Sequence, residues 1–245
     1  MKAKRNITYA TFTDIGSRSV NEDSLGCCEL ADRSCFILCD GLGGHGMGDV
    51  ASSLTVEVMK TRFEGSADNE EYINSAFLAA QDILLAEQKK RNAQRKMKTT
   101  AATLAVDDKQ IRVGHIGDSR VYLFRKNKVM LRSRDHSIPQ MLFESGDIKD
   151  SEIRNHPERN TVLRVMGVEW EKKEYELLKP IPIRKCQAAL LCSDGFWELI
   201  DEENMCRYLY ESASVSEWLE KMAAMVKKNG EGKNMDNNTA IAVWF

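Results

Sequence analysis

Residues 102–132 read ATLAVDDKQIRVGHIGDSRVYLFRKNKVMLR, and this stretch decides the fold class. It contains four apolar runs, at 102–106, 111–116, 120–125 and 128–132. The residues between the runs are few and polar, as the tight connections of β-hairpins require. Consecutive hairpins place neighbouring strands side by side in opposite directions, so the stretch predicts an antiparallel sheet.

Further elements are predicted on both sides of this central stretch. Additional strand-like runs lie at 7–13, 24–30, 35–40, 174–178, 188–193 and 239–245. Two helices are predicted between the third strand and the central stretch. The first has an apolar residue at every fourth position from Val50, and the second has an apolar face that begins at Ile73 and reaches toward Arg95.

Two more helices are predicted near the C-terminus. Asp201 is a candidate cap for the first, and Ser214 with Glu217 matches a capping box at the start of the second. The helices are thus grouped between blocks of strands rather than alternating with single strands. This order predicts an α+β class, in which helical layers flank antiparallel sheets.

Composition narrows the class of protein. The 245 residues include 35 Lys and Arg against 37 Asp and Glu, a balance that gives no electrostatic footprint for nucleic acid or an anionic membrane. No apolar run approaches the ~20 residues that span a bilayer, and the N-terminus lacks a signal-peptide core. We therefore expect a cytoplasmic protein with one domain over residues 1–245. The seven cysteines, an odd number without a Cys-x-x-Cys pair, indicate reduced, buried thiols.

Four aspartates lie at strand boundaries. Asp40, Asp118 and Asp194 each follow a buried strand, and Asp236 precedes the last one. Strand ends and strand starts meet at one edge of an antiparallel sheet, so these carboxylates could converge. Such a cluster is unfavourable unless cations neutralise it, and carboxylate oxygens suit Mg²⁺ or Mn²⁺. Zinc is disfavoured there, because the chain has only four histidines and none has His-x₃-His spacing.

Each Asp-Gly pair alone is a common turn signal, and the four acidic boundaries together favour the metal interpretation. Gly41 follows Asp40, and without a Cβ its carbonyl can turn toward a cation. A second acidic group, Glu22 and Asp23, follows Arg18. Arg18 and these acids could simply form an exposed ion pair. If they instead lie at the sheet edge where the aspartates converge, Arg18 would clamp a phosphate and the two carboxylates would hold metal-bound waters.

Taken in order, these segments resemble the metal-dependent protein phosphatases of type 2C, the PPM family, and its bacterial stand-alone members in particular. The resemblance extends through nearly the whole chain. The matching segments are RSVNED at 18–23, DGLGGH at 40–45, TTA at 99–101, GDSR at 117–120, DHS at 135–137, NHP at 155–157, CSDGFW at 192–197 and DNNT at 236–239.

The resemblance implies a four-layer α-β-β-α sandwich, in which helices flank two antiparallel sheets, with a flap subdomain at about 144–160. The residues of that segment, taken alone, are equally consistent with a surface loop that carries a short helix. The implied activity is hydrolysis of phosphoserine and phosphothreonine monoesters on proteins. A water bridging two divalent metal ions would attack phosphorus directly, without a covalent intermediate.

The resemblance also assigns metal ligands. Asp40 would bridge two tightly bound Mn²⁺ or Mg²⁺ ions, the Gly41 carbonyl would serve one of them, and Asp194 with Asp236 would serve the other. Asp118 together with Asp194 would hold a third, weaker ion.

Arg18 resembles the phosphate-binding arginine of the family. The animal enzymes have a histidine directly after the Asp-Gly pair, proposed as the general acid, where this chain has Leu42. The leaving-group proton must then come from elsewhere, and a metal-bound water is our candidate. We expect His45 to pack at a helix entry rather than act as that acid. The remaining histidines are expected to be structural, or to act behind the metal ligands: His115, His136 and His156.

The implied partners are phosphorylated proteins in signalling and a cognate serine/threonine kinase, and the implied state is a monomer. Two other functions compete with this interpretation. One is a non-catalytic module that binds phosphoproteins on the same fold, which is disfavoured because the chain keeps every metal aspartate. The other is a metal-dependent hydrolase of small phosphoesters.

Overall fold

The computed structural model describes residues 7–42, 46–94 and 96–245, and we number its elements in chain order. The strands are β1 (Thr8–Asp14), β2 (Asp23–Glu29), β3 (Arg33–Asp40), β4 (Ala101–Asp107), β5 (Gln110–Ile116), β6 (Arg120–Arg125), β7 (Lys128–Arg132), β8 (Glu176–Leu177), β9 (Ile181–Pro182), β10 (Ala188–Cys192) and β11 (Asn238–Trp244). The helices are α1 (Gly48–Gly65), α2 (Asn69–Arg91), α3 (Ile138–Ser145), α4 (Asp150–Ile153), α5 (Asp194–Trp197), α6 (Glu202–Glu211) and α7 (Val215–Gly230). None of these helices is long and apolar enough to cross a bilayer.

The strands form two antiparallel sheets. The first has the order β1-β11-β10-β6-β7, and the second has the order β2-β3-β4-β5-β8, with β9 also beside β5. The hairpins predicted from residues 102–132 are therefore divided between the sheets: β4 and β5 pair in the second, and β6 and β7 pair in the first. The connection between β5 and β6, which contains Asp118, is where the chain crosses from one sheet to the other.

Three apolar cores separate four layers. Phe36 and Leu38 of β3 face the core between the sheets, whereas Ile37 of the same strand faces α1 and α2. Alternate residues of a strand face opposite sides, so a strand with a core on each side reads as an unbroken apolar run. On the far side of the first sheet, Tyr122 and Trp218 belong to the core that the sheet shares with α5, α6 and α7. The predicted α-β-β-α sandwich is confirmed.

The second helix ends earlier than predicted. Asn92 follows α2 with a left-handed φ of 52°, and its N–H donates to the carbonyls of Gln88 and Lys89. Asparagine tolerates this conformation well and satisfies the last carbonyls of the helix, which closes it. Arg95, toward which we expected the helix to extend, lies outside the described residues.

The two C-terminal helices begin where the sequence predicts. The Asp201 carboxylate accepts a hydrogen bond from the Asn204 N–H at 2.7 Å, and the Ser214 hydroxyl accepts one from the Glu217 N–H at 3.2 Å. The capping box of α7 differs in one detail. Glu217 accepts from the N–H of Ala213, one residue before the cap, at 2.8 Å, so its carboxylate closes a wider turn than the motif predicts.

Short elements between β7 and β10 are absent from the sequence prediction. The helices α3 and α4 and the strand β9 have eight, four and two residues, too few for a periodic apolar pattern. The strand predicted at 174–178 is reduced to the two residues of β8. Tyr175, just before it, stacks on Phe77 of α2 with ring centroids 4.7 Å apart.

Candidate active site

Two acidic side chains are placed side by side by the second sheet. Asp23 begins β2, Asp40 ends β3, and the two residues are direct partners in the antiparallel register. Directly opposed residues project from the same face of the sheet, so their carboxylates are neighbours. Thr100 fixes the end of β3, because its hydroxyl accepts from the Asp40 N–H at 3.0 Å and its N–H donates to the Asp40 carbonyl at 2.8 Å.

The residue after Asp40 has no room for a side chain. The Gly41 N–H donates to the Glu22 carbonyl at 3.0 Å, and a Cβ on Gly41 would collide with the carbonyl of Gly48 at the start of α1. Glycine is therefore required here by the close approach of three backbone segments. The same packing fixes the orientation of the Gly41 peptide beside the acidic residues.

The first sheet contributes Asp194 and Asp236 to the same region. Asp194 begins α5 just after β10, and Asp236 lies just before β11, the strand that pairs with β10. Each carboxylate accepts a hydrogen bond from the N–H of the next residue, at 2.6 Å from Gly195 and 2.8 Å from Asn237. These bonds hold both carboxylates at the edge where β10 ends and β11 begins.

Arg18 lies at this edge and pairs with Asp236. Its Nε and Nη2 donate to the two carboxylate oxygens at 3.0 and 2.8 Å, and both side chains are nearly half exposed. Arg18 therefore does form an exposed ion pair, one of the two roles expected for it. Its partner is Asp236, however, and not Glu22 or Asp23. Arg18 is nevertheless beside the acidic residues.

Asn237 holds the loop that contains Arg18. Its side-chain amide donates to the carbonyls of Ile15 and Val20 at 2.9 and 3.0 Å, and its side-chain oxygen accepts from the Glu22 N–H at 2.8 Å. Asn237 belongs to the DNNT segment at 236–239, but no role is predicted for it from the sequence. The only sequence signal is its position next to Asp236, because its partners lie more than 200 residues away.

Three of these aspartates, Asp40, Asp118 and Asp194, have raised pKa values. Burial, then the neighbouring charges of Asp23 and Asp194, raises the pKa of Asp40 well above its usual range. Burial, then the charge of Asp236, raises the pKa of Asp194 to about 6, an increase that a hydrogen bond with Asp40 partly offsets. Burial also raises the pKa of Asp118 well above normal, followed by the charge of Asp194. The cluster therefore carries like charges that only protons or cations can neutralise.

Asp23 is held by a serine that the sequence analysis did not select. The Ser193 hydroxyl donates to Asp23 Oδ2 at 2.8 Å and accepts from the Thr239 N–H at 3.0 Å. Burial raises the pKa of Asp23 to about 7, and its Oδ1 is buried without a hydrogen-bond partner among the residues of the described ranges. A buried carboxylate oxygen without a donor is suited to a cation or its hydration shell.

The donor set fits divalent cations such as Mg²⁺ and Mn²⁺, because it consists of carboxylates beside a backbone carbonyl. Over residues 7–42, 46–94 and 96–245, no three of these aspartates offer one oxygen each such that all three oxygens lie within 4.8 Å of one another.

Comparison with known proteins identifies the family. The family model of protein phosphatase 2C matches residues 13–239. The chain belongs to the protein phosphatase 2C family. A serine/threonine phosphatase, Stp, of Listeria welshimeri is 31% identical over 96% of this chain and 95% of that protein. A serine/threonine phosphatase of Mycobacterium tuberculosis, PstP, is 27% identical over 96% of this chain and 44% of that protein.

Solved structures agree with this assignment. The crystal structure of the serine/threonine phosphatase Stp1 of Staphylococcus aureus superposes with a TM-score of 0.90 at 25% identity, and the match covers 100% of this chain and 97% of that one. The catalytic domain of PstP, crystallised with two manganese ions, superposes with a TM-score of 0.81 at 25% identity over 97% of each chain. The chain is a metal-dependent protein serine/threonine phosphatase.

A buried ion pair supports Asp118 in this phosphatase. Arg120 donates through Nε and Nη2 to the Asp135 carboxylate at 2.9 and 2.6 Å, and its guanidinium lies 3.4 Å above the Trp197 ring. The indole N–H of Trp197 in turn donates to the Asp118 carbonyl at 3.0 Å. Arg120 thus packs against Trp197, and Trp197 in turn fixes the backbone of Asp118, a predicted metal ligand.

The position that is histidine in the animal enzymes is Leu42 in this phosphatase, whose N–H donates to the Lys98 carbonyl at 2.9 Å. Gly43, Gly44 and His45 of the same motif lie outside the described residues. His156 accepts a hydrogen bond from the Glu158 N–H at 3.1 Å, in a turn of the segment predicted to form the flap.

The cysteines of the phosphatase are poorly suited to nucleophilic chemistry. Burial raises the pKa of Cys27 and of Cys35 to about 12 and that of Cys186 to about 11. Burial also raises the pKa of Cys39 and Cys192 well above the usual thiol range. Thiols in this state are protonated at neutral pH and are weak nucleophiles.

Proposed function

We propose that this phosphatase hydrolyses phosphoserine and phosphothreonine monoesters on proteins, by direct attack of water and without a covalent intermediate. The reaction would take place at the edge that carries Asp23, Asp40, Asp194 and Asp236, which we call the acidic edge. The observation that carries the proposal is the convergence of acidic residues from both sheets. Asp23 and Asp40 come from the second sheet and Asp194 and Asp236 from the first, and each of the first three has a raised pKa.

The residues that would hold the metal ions are those at this edge. Asp40, with the Gly41 carbonyl, would bind two Mn²⁺ or Mg²⁺ ions together with Asp194 and Asp236, and Asp118 would hold a third ion more weakly. When bound, such cations supply Lewis acidity that activates water and offsets negative charge on the phosphoryl oxygens. The manganese-bound structure of PstP supports this proposal by analogy.

Arg18 would bind the phosphate of the substrate. Its guanidinium already makes a bidentate contact with a carboxylate, and a phosphoryl group offers the same paired oxygens. With Asp236 serving as a metal ligand, the Arg18 guanidinium would be free to turn from Asp236 to the phosphate. There it would stabilise charge that develops on the equatorial oxygens during transfer.

Glu22 and Asp23 would orient water near the reacting phosphorus. Burial, followed by the charge of Asp49, raises the pKa of Glu22 above its usual value, although a hydrogen bond from the Gly48 N–H counteracts part of the effect. Asp23 is fixed by Ser193 on one oxygen, which leaves Oδ1 to accept a hydrogen bond from water.

Residues 144–160 would form the flap beside this site. Two arginines tie the segment to the helices that follow β10, since Arg154 pairs with Glu202 of α6 at 3.0 Å and Arg159 pairs with Glu198 at 3.1 Å. The Glu198 N–H donates to the Asp194 carbonyl at 2.9 Å, so the segment is connected to the acidic edge. The proposed substrates are phosphoproteins produced by a serine/threonine kinase.

The experiment that tests the proposal is a dephosphorylation assay with Mn²⁺ on peptides that contain phosphoserine, phosphothreonine or phosphotyrosine, beside a panel of small phosphoesters. We expect turnover of the first two peptides, loss of activity with EDTA, and unchanged activity after treatment with a thiol-blocking reagent. Turnover confined to small phosphoesters would favour the competing metabolic function. Activity that survives EDTA but not thiol blocking would refute the proposed mechanism.

A further inference from the structure

A second group of potential metal ligands lies apart from the acidic residues. His115 of β5 and Glu176 of β8 are direct partners in the antiparallel register, and His136 approaches both from the segment after β7. Glu176 Oε2 is 3.7 Å from His115 Nε2 and 3.9 Å from His136 Nε2. Within the described part of the chain, these three form the one group of His, Cys, Asp or Glu side chains whose ligand atoms all lie within 4.8 Å of one another.

The two imidazoles have ring nitrogens without partners. Both nitrogens of His115 and Nε2 of His136 are buried and make no hydrogen bond to any residue that the structure describes, and His115 is 0% exposed. Buried polar side-chain atoms are rarely left in this state, so three such nitrogens in one place indicate that something else binds there. The rings stack with centroids 5.0 Å apart and planes inclined by 25°, which holds the two Nε2 atoms on the same side of the stack.

The rings are in the charge state that binds metals. Burial lowers the pKa of His115 to about 4 and that of His136 to about 3. Both imidazoles are therefore neutral at physiological pH, and no proton has to be removed from an imidazolium before a metal ion can bind. Glu176 would provide a negatively charged ligand for a metal ion. Its side chain is 42% exposed, so an ion could reach the group from solvent at this residue.

We propose that His115, His136 and Glu176 form a binding site for a transition-metal ion of the Zn²⁺ type, distinct from the Mn²⁺ or Mg²⁺ site at the acidic edge. Two imidazole nitrogens and one carboxylate oxygen are a three-ligand set that zinc accepts with a fourth position open. Imidazole ligands favour Zn²⁺ and Co²⁺ over Mg²⁺ and Mn²⁺, so the two sites select different cations.

One contact opposes metal binding. The Gly117 N–H donates to His136 Nδ1 at 3.2 Å, which places the proton of the neutral ring on Nε2. Binding through Nε2 requires the other tautomer, in which the proton is on Nδ1, so His136 must give up this long hydrogen bond. His115 has no partner to lose. We therefore expect binding that is weaker than at a closed four-ligand zinc site.

The position of the ligands explains why sequence spacing does not reveal the site. His115 and His136 are separated by a whole hairpin, and Glu176 follows 40 residues later on an edge strand. His115 and Glu176 meet through the pairing of β5 with β8, and His136 is held beside them by the hydrogen bond that its N–H donates to the Gly117 carbonyl at 2.9 Å. A bound ion would tie this short edge strand to β5 and to the segment that begins α3, and would stabilise the fold by linkage.

The test compares two variants of the full chain, Glu176→Ala and Glu174→Ala. Glu176 is on the surface, so its loss should leave the fold intact. Glu174 lies on the same segment and pairs instead with Arg164 at 3.2 Å, which makes it a matched control. The EDTA-treated protein, in excess Mg²⁺ to occupy the acidic edge, is titrated with Co²⁺ followed by visible absorption, and with Zn²⁺ followed by competition with a chromophoric chelator.

We expect the wild type and Glu174→Ala to bind one more equivalent of Co²⁺ than Glu176→Ala, or to bind it at least tenfold more tightly. Zn²⁺ should displace the Co²⁺ absorption and should shift the ring ¹⁵N resonances of His115 and His136 in the wild type. Manganese-dependent phosphatase activity in Glu176→Ala should match the wild type. Equal Co²⁺ and Zn²⁺ binding by Glu176→Ala and the wild type would overturn the proposal, as would unchanged histidine resonances.

Discussion

Replacing Asp135 with asparagine should destabilise the phosphatase by several kcal/mol, because it leaves the guanidinium of Arg120 buried without its counter-ion. Both side chains are only 2% exposed, and Arg120 donates to both Asp135 oxygens. Asparagine has nearly the same shape, so the change removes charge and one acceptor while it leaves the surrounding packing in place.

The expected magnitude follows from the surroundings of Arg120. Removing one partner of a buried ion pair costs about 3–5 kcal/mol, because the remaining charge stays desolvated. Some compensation remains: the Tyr122 hydroxyl accepts from Nη1 at 3.0 Å, the Trp197 ring lies 3.4 Å from the guanidinium, and Glu202 is 3.7 Å from Nη1. We therefore expect the lower end of that range, about 3 kcal/mol, or roughly a hundredfold change in the folding equilibrium.

The assay is urea unfolding followed by tryptophan fluorescence at fixed pH and metal concentration. The double variant Arg120→Met/Asp135→Leu should recover much of the lost stability, because apolar replacement removes both desolvated charges. Glu70→Gln is the matched control: Arg112 approaches Glu70 at 2.7 Å, but Glu70 is 76% exposed, so the loss should stay below about 1 kcal/mol. A loss below about 1 kcal/mol in Asp135→Asn would show that Arg120 is solvated or paired elsewhere, contrary to the reasoning here.

The remaining predictions concern the acidic edge. Gly41→Ala should destabilise the fold by about 1–3 kcal/mol and lower turnover, since the new Cβ collides with backbone, whereas Gly65→Ala, in open space, should be neutral in both assays. Asp40→Asn should reduce turnover on a phosphothreonine peptide by several orders of magnitude while circular dichroism stays native, and a variant with wild-type rates would contradict the assignment. In EDTA, the Asp23 carboxyl should contribute a loss of thermal stability as the pH rises from about 4 to about 7, so the melting temperature of the wild type should fall more steeply, or rise less, than that of Asp23→Asn. The reason is that carboxyls with raised pKa values, Asp23 at about 7 and Asp194 at about 6, favour folding while protonated and oppose it once ionised. The same pH dependence of the melting temperature in the wild type and in Asp23→Asn would indicate that the edge is not a cluster of mutually repelling carboxylates.

The parts of the fold that could be predicted are those marked by a local sequence pattern, such as an apolar run or a tight turn. The strands of residues 102–132 are separated by tight turns, and a strand with apolar cores on both sides gives a continuous apolar run such as that of β3. Asp40 and Asp194 were identified because each ends such a run, a signal that depends on the strand alone. Their convergence follows from strand direction.

The unpredicted parts depend on contacts between distant segments. Ser193 bonds to Asp23 across 170 residues, and Asn237 bonds to Glu22 across 215, so no local pattern marks either residue as part of the site. The pairing of His115 with Glu176 depends on the register of a two-residue strand. The short helices α3 and α4 lack enough turns for a periodic signal.

The Arg18–Asp236 pair explains why metal binding and substrate binding should be coupled in this phosphatase. The carboxylate cluster attracts Arg18, and Asp236 accepts from both guanidinium donors that the proposal assigns to a phosphate. If Asp236 is a metal ligand as proposed, a cation there would compete with Arg18 and would free the guanidinium for a phosphate. By linkage, a phosphate held by Arg18 should in turn strengthen cation binding, because it removes the competitor for Asp236. The proposed roles of the acidic edge and of Arg18 are therefore coupled through one bidentate ion pair.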